Sequence, residues 1–249
     1  MSIYKADYDL DALARQNLHI HTVFSRCAKE EMKVPDILRE ARLAGLEAIA
    51  LTDHFNDDIT NDDYLTHIRT LREETRGMEP GLKVFIGAEL SAFAPGKSLE
   101  NEEVRQALDY RLYSCNHYHL DFWDKPEDRS TRGYVNHAIR VISALIESDR
   151  ADCVAHPLIG RFIKEIEDRT AVTREITDNE LGDLLTLAKN RSTAFEINCG
   201  AILGDPAFGR RLWHIGREAG VSFRYGTDAH LLKNIDTKHL LPEVKKILG

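Results

Sequence analysis

Asn17-Leu18-His19-Ile20-His21 is a short run with a histidine on each side of its isoleucine, and Gly226-Thr227-Asp228-Ala229-His230 follows a similar apolar run near the other end of the chain. Alternate side chains of an extended strand share a face, so His19 and His21 can point together at one ion, as can Asp228 and His230. Imidazole nitrogens beside carboxylate oxygens suit divalent cations such as zinc, manganese or iron. Residues from the first and last strands meet only if the sheet that carries them closes on itself.

Between these ends, apolar runs alternate with stretches of helical periodicity. Seven strands are predicted, at residues 17–21, 48–51, 83–86, 110–114, 153–155, 194–197 and 222–225. Helices are predicted at 35–44, 62–76, 132–148, 178–190, 206–219 and 242–248, with Pro35, Pro206 and Pro242 in first turns and Gly45 and Gly220 just past helix ends. Such alternation implies parallel strands with right-handed crossovers, in a closed barrel or an open doubly wound sheet. Residues of metal-ligand type recur at or just after strand C-termini: His19 and His21, Asp53-His54, Glu89, His117, His156, Glu196, then Asp228 with His230. In a barrel these ends ring one mouth, whereas an open sheet holds its edges apart. The expectation is a distorted (β/α)7 barrel, with residues 1–249 as a single domain and a metal site at the C-terminal ends of the strands.

Composition sets the outer limits. Hydrophobic residues make up 43% and charged residues 30% of the 249, enough apolar material for a sizeable core. The formal net charge of -8 argues against strong nucleic-acid binding, yet it leaves room for a small anion held by local arginines. No apolar run is long enough to span a bilayer, and residues 1–16 lack the basic-then-apolar layout of a leader, so a cytoplasmic protein with no membrane partner is expected. Cys27, Cys115, Cys153 and Cys199 are scattered without a CxxC pair and read as buried free thiols. His67, His137, His214 and His239 fall in or near helices and read as surface or packing residues.

His19-Ile20-His21-Thr22 with Ser25, Leu51-Thr52-Asp53-His54, Gly87-Ala88-Glu89, Ala155-His156-Pro157, Glu196-Ile197-Asn198 and Gly226-Thr227-Asp228-Ala229-His230 together resemble the polymerase-and-histidinol-phosphatase (PHP) superfamily over nearly the whole chain. The resemblance implies a distorted (β/α)7 barrel with two or three divalent ions (zinc, manganese or iron) and hydrolysis of a phosphate ester. It implies His19, His21, His54, Glu89, His117, His156, Asp228 and His230 as metal ligands, with Glu89 and Asp228 bridging. Asp228 or a neighbouring histidine, His230 among them, would then handle protons in catalysis. Asp53 points away from His54 along an extended strand and reads as a carboxylate behind the ligands that orients an imidazole.

The sequence departs from the family in two places. A ligand that often follows the HxH motif is absent from Ser25-Arg26-Cys27-Ala28-Lys29-Glu30-Glu31, so Cys27 or Glu31 is expected to supply it. Asn116-His117-Tyr118-His119 offers two histidines where one is usual, which leaves His119 for substrate contact. Arg161 follows a stretch similar to one in which histidinol-phosphate phosphatases place a phosphate-binding arginine, and Arg26 is a second candidate. Asn198 is expected to hydrogen-bond substrate, with Glu196 structural. The reading favours a phosphomonoesterase acting on a small phosphorylated metabolite, histidinol phosphate among them. A phosphodiesterase acting on cyclic or short nucleotide phosphates is the enzymatic alternative, and a non-catalytic metal-binding barrel the other.

Overall fold

The structure, a computed structural model, describes residues 8–77 and 81–249, so the segment read for a leader lies partly outside the described residues. Its strands are β1 (Gln16–Ile20), β2 (Ala48–Leu51), β3 (His54–Phe55), β4 (Lys83–Ser91), β5 (Tyr110–Ser114), β6 (Cys153–Val154), β7 (Ala194–Asn198) and β8 (Phe223–Gly226). The helices are α1 (Leu10–Leu13), α2 (Val34–Leu43), α3 (Asn61–Glu74), α4 (Glu102–Ala107), α5 (Thr131–Glu147), α6 (Ala171–Glu175), α7 (Asp178–Asn190), α8 (Cys199–Gly204), α9 (Pro206–Ala219) and α10 (Leu241–Leu248). Among the described residues, no helix is long and apolar enough to cross a membrane.

Among the described residues all strand pairings are parallel, in the order β1-β2-β4-β5-β6-β7-β8, with β3 riding beside β4. The ring closes where Ile20 bridges Ala229: the His21 amide donates to the Ala229 carbonyl (3.0 Å) and the Ala229 amide to the His19 carbonyl (3.1 Å). The two histidine motifs therefore form the seam of the barrel. This is the distorted (β/α)7 barrel expected, with two differences. Residues 54–55 form the extra strand β3, and β4 runs on to Ser91, so Glu89 sits within a strand rather than after one.

The barrel interior holds a small apolar cluster of its own. Ala50, Ala155 and Ala194 pack there with Leu18, Tyr110, Leu112 and Cys153. The larger apolar layer lies between sheet and helices, where α5 buries Tyr134, Val135, Ala138, Val141, Ile142 and Leu145 at helical spacing. At roughly 1.5–3 kcal/mol for each large apolar side chain fully buried, this layer is the main source of stability. Helix ends follow the sequence signals: Pro206 opens α9, and Gly220 closes it in the left-handed region at φ 78°.

Candidate metal centre

The ends of β1 and β8, joined at the seam, bring His19, His21 and Asp228 together with Glu89 of β4. His19 Nε2 lies 3.1 Å from His21 Nε2, 3.3 Å from Glu89 Oε2 and 3.4 Å from Asp228 Oδ1. His21 Nε2 lies 3.1 Å from the same Asp228 oxygen and 3.5 Å from Glu89 Oε2. Glu89 is the hub, since His54 Nδ1 approaches its Oε2 at 2.9 Å while His156 and His117 face its Oε1 at 3.0 and 3.6 Å. His21, His54 and His230 form a further group toward the mouth. Asp228 (φ 54°) and His156 (φ 24°) adopt left-handed backbone conformations that are costly for such residues, as happens where a site dictates side-chain direction.

The imidazoles are oriented from behind. His19 Nδ1 donates to Glu196 Oε1 (2.8 Å), His21 Nδ1 faces Ser25 Oγ (3.3 Å), His117 Nδ1 faces Ser114 Oγ (3.2 Å), and His230 Nδ1 donates to the Asp228 carbonyl (2.9 Å). These partners leave Nε2 free for a cation. Gly226 makes the first of them possible, because a Cβ there would come within 2.2 Å of Glu196 Oε1 and 2.8 Å of His19 Cβ.

Two imidazole nitrogens 3.1 Å apart, both facing carboxylate oxygens, make a cluster of lone pairs that a shared proton or a cation can fill. Glu89 Oε2 has no hydrogen bond of good geometry although three imidazole nitrogens stand near it. The donor set therefore fits divalent ions. Protonation shows the same demand for positive charge. Burial pushes His19 down, but the Glu196, Asp228 and Glu89 carboxylates outweigh it and hold His19 well above its ordinary value. Burial, with help from His54, takes His21 down to about 4. Burial pushes Glu89 and Asp228 up, yet the surrounding imidazoles hold both well below the usual carboxylate range. Metal binding would release the protons held by the histidines.

The other sequence-predicted residues divide. Cys27 is exposed, a correction to its reading as a buried thiol, whereas Cys115, Cys153 and Cys199 are buried. Its Sγ lies 3.0 Å from His230 Nε2, and although burial acts to raise its pKa, hydrogen bonds with His230 and His54 bring it down to about 6. Glu31, the other candidate for the missing ligand, is instead occupied by the Leu232 amide (2.9 Å), because its loop turns it toward the segment after His230. Arg161 Nη2 stands 3.4 Å from Asp228 Oδ2, and its guanidinium lies over the Phe162 ring at 4.5 Å. His119 stacks on that ring at 4.6 Å. Arg26 is 84% exposed and paired with Asp58 at the rim. Asn198 does not line the cleft. It is buried, and its Oδ1 caps α8 by accepting from the Ala201 amide (3.0 Å), because β7 leads directly into that helix.

Asp53 contacts no ligand imidazole directly. It accepts from Ser25 Oγ (2.6 Å), which in turn faces His21. Burial raises its carboxyl, but hydrogen bonds from His67 and Ser25 hold it at about 2. Sequence reasoning missed the tie of His67 to Asp53, and it read Glu196 as structural without placing it behind His19. Glu196 shares the inward face of β7 with Ala194, and a carboxylate at an inward barrel position was the available signal.

The cluster lies at the base of a cleft of about 500 Å³ rimmed by Phe24, Ile59, Leu120 and Phe162. A larger groove of about 940 Å³ beside α5 and α7 includes none of the cluster, so its size carries no weight for the chemistry. Among solved structures, the chain is similar to histidinol phosphate phosphatase from Lactococcus lactis subsp. lactis Il1403, complexed with zinc, L-histidinol and phosphate, at 20% identity and TM-score 0.59 over 93% of each chain. It also matches deoxyribose phosphate aldolase from Aeropyrum pernix, at 15% identity and TM-score 0.44 over 95% of this chain and 92% of that one. No curated protein matches the chain significantly. The PHP domain family matches residues 17–199, which hold most of the cluster, while Asp228 and His230 are added by barrel closure. With that match and the geometry at the barrel mouth, this chain belongs to the PHP domain family and is a metal-dependent phosphoesterase.

Proposed function

We propose that the protein is a phosphomonoesterase of a small phosphorylated metabolite, with L-histidinol phosphate the first substrate to test. The carrying observation is Arg161: a guanidinium held by Phe162 directly beside Asp228, where a phosphate above the cluster would meet it. Its planar fork matches phosphate oxygens. We read His19, His21, Glu89 and Asp228 as the ligands of one ion, and Glu89, His117 and His156 as those of a second, with zinc, manganese or iron all compatible. Bound ions would neutralise charge on the phosphoryl oxygens and make water a better nucleophile near neutral pH.

The chain's own residues supply the rest. Glu89 holds the two halves of the cluster together. Asp228 faces the cleft and moves the proton, with His230 next to it as the alternative carrier. Phe162 packs 4.8 Å from His117 and forms that flank of the cleft. The test is metal content by elemental analysis together with turnover across phosphomonoesters, L-histidinol phosphate included, and cyclic and linear phosphodiesters. Monoester turnover with two or more metals per chain is expected. Diester turnover alone would move the reading to a phosphodiesterase, and bound metal with no turnover to a binding barrel.

Arg161→Ala is expected to lower kcat/KM for phosphomonoesters by about tenfold or more, since a charge-assisted hydrogen bond contributes roughly 1.5–3 kcal/mol. Metal content should not change. Parental kinetics in this variant would shift the phosphate cradle to Arg26, Lys29 or His119.

Cys27 is proposed as the soft ligand of an outer position with His54 and His230, in place of the ligand missing after the HxH motif. Cobalt-substituted protein should then show a thiolate-to-cobalt charge-transfer band in the near ultraviolet, and Cys27→Ser should remove it while the inner metals remain. A band unchanged in the serine variant would leave Cys27 outside the metal centre.

A further inference from the structure

Asp53 is fully buried, and each of its oxygens receives two donors. Oδ1 accepts from the Thr22 amide (2.7 Å) and the Ser25 hydroxyl (2.6 Å), and Oδ2 from the Thr22 hydroxyl (2.7 Å) and His67 Nε2 (2.8 Å). A hydroxyl has one proton to give. Because Ser25 gives its proton to Asp53, its oxygen can act only as an acceptor toward its other neighbours, the His54 amide (3.1 Å) and His21 Nδ1 (3.3 Å). That forces the proton of His21 onto Nδ1 and turns the Nε2 lone pair toward His19, Asp228 and Glu89. The last donor in this chain comes from outside the barrel. Helix α3 presents Tyr64 and His67, one turn apart, to the same residue: the Tyr64 hydroxyl donates to the Asp53 carbonyl (2.6 Å) and His67 to its carboxylate. The ring of Phe24, 37% exposed at the cleft rim, lies flat on His67 at 3.6 Å and 6° and covers that hydrogen bond from solvent.

We infer that His67 is a positioning residue of the metal centre, acting through Asp53 and Ser25 to fix the ring orientation of His21 and the backbone of His54. This rests on the metal reading proposed above. His67 reaches none of the reacting atoms. Without its N–H, one lone pair of a buried carboxylate has no donor, and the carboxylate that receives the Ser25 hydroxyl is held less firmly in place. The effect should therefore appear as metal affinity rather than as substrate affinity. The covering ring also links the cleft rim to the same chain of bonds, since Phe24 belongs to the loop that carries Ser25, Arg26 and Cys27.

Two substitutions separate the hydrogen bond from the packing. His67→Phe keeps a flat ring under Phe24 but has no donor, whereas His67→Gln keeps an N–H within reach of Asp53 and loses the ring. Zinc affinity of the full chain is measured by competition with a chromophoric chelator, alongside KM and kcat at saturating zinc. The Phe variant is expected to bind zinc about 10–100-fold more weakly, as is usual when a group behind a ligand is removed. Its KM should match the parent once zinc is saturating, and the Gln variant should bind zinc close to parentally.

Ser25→Ala should lose a similar factor, and the Ser25→Ala/His67→Phe double variant no more than the larger single loss, because both act in one chain. Parental zinc affinity in the Phe variant, equal losses in the Phe and Gln variants, or additive losses in the double variant each assign His67 to packing alone. If the Phe variant fails to fold, Ser25→Ala decides: parental affinity there overturns the chain of bonds. A parent protein that takes up no zinc overturns the metal reading and this inference together, whereas a parent that binds zinc with unaffected variants overturns only the inference.

Discussion

Glu89→Gln is expected to cut turnover by on the order of 10³-fold and to release metal, because it removes the charge on which five imidazoles converge. His19, His21, His54, His117 and His156 all stand within 3.6 Å of its carboxylate oxygens. The amide of Gln is neutral, and one of its two ends carries protons where a carboxylate presents lone pairs. An ion on either side of residue 89 therefore loses a ligand atom and part of its charge compensation. Gln occupies nearly the same volume, so the barrel should keep its circular dichroism spectrum. Elemental analysis beside a turnover assay checks this, and a Gln variant with parental metal content and rate would remove Glu89 from the centre of the site.

Asp228→Asn is expected to lower kcat by on the order of 10²-fold or more, since an amide neither bridges ions well nor accepts a proton. Oδ1 of Asp228 faces His21 and His19 (3.1 and 3.4 Å), while Oδ2 meets Arg161 (3.4 Å), so the residue stands between the ligands and the phosphate-binding side chain. Metal content distinguishes its two roles. A variant that keeps its metals and loses rate places proton movement on Asp228, whereas one that loses both places it chiefly among the ligands. Near-parental rate with metals bound would pass the proton role to His230, whose Nδ1 is anchored to the Asp228 carbonyl.

The regular elements were legible because their signals are local. Seven strands followed from apolar runs, and six helices from periodicity, three of them with proline in the first turn and two with glycine just past the end. The misses were short. Helices α1, α4, α6 and α8 have four to six residues, too few to display a 3.6-residue period, and β3 has only two. The inward-facing residues of β4 run on through Glu89 because the strand extends to Ser91, a length set by its pairing with β3 and β5 rather than by its own composition.

The sequence by itself determined the α/β alternation and the placing of ligand-type residues at strand ends, because a period of two or of 3.6 residues is written in neighbouring positions. Only the tertiary structure decided which of those residues meet. His19 and Asp228 come from opposite ends of the chain and face one another because Ile20 pairs with Ala229 across the seam. The same closure sets Glu196 behind His19 and ties Glu31 to the Leu232 amide, whereas Asn198 caps α8 through a local bond because β7 runs straight into that helix. His67, with nothing in α3 to mark it, reaches Asp53 because the helix lies against the short link between β2 and β3. A side chain's type is a local property, but the partner that gives it a role is fixed by contacts between distant segments, and those exist only once the barrel has closed.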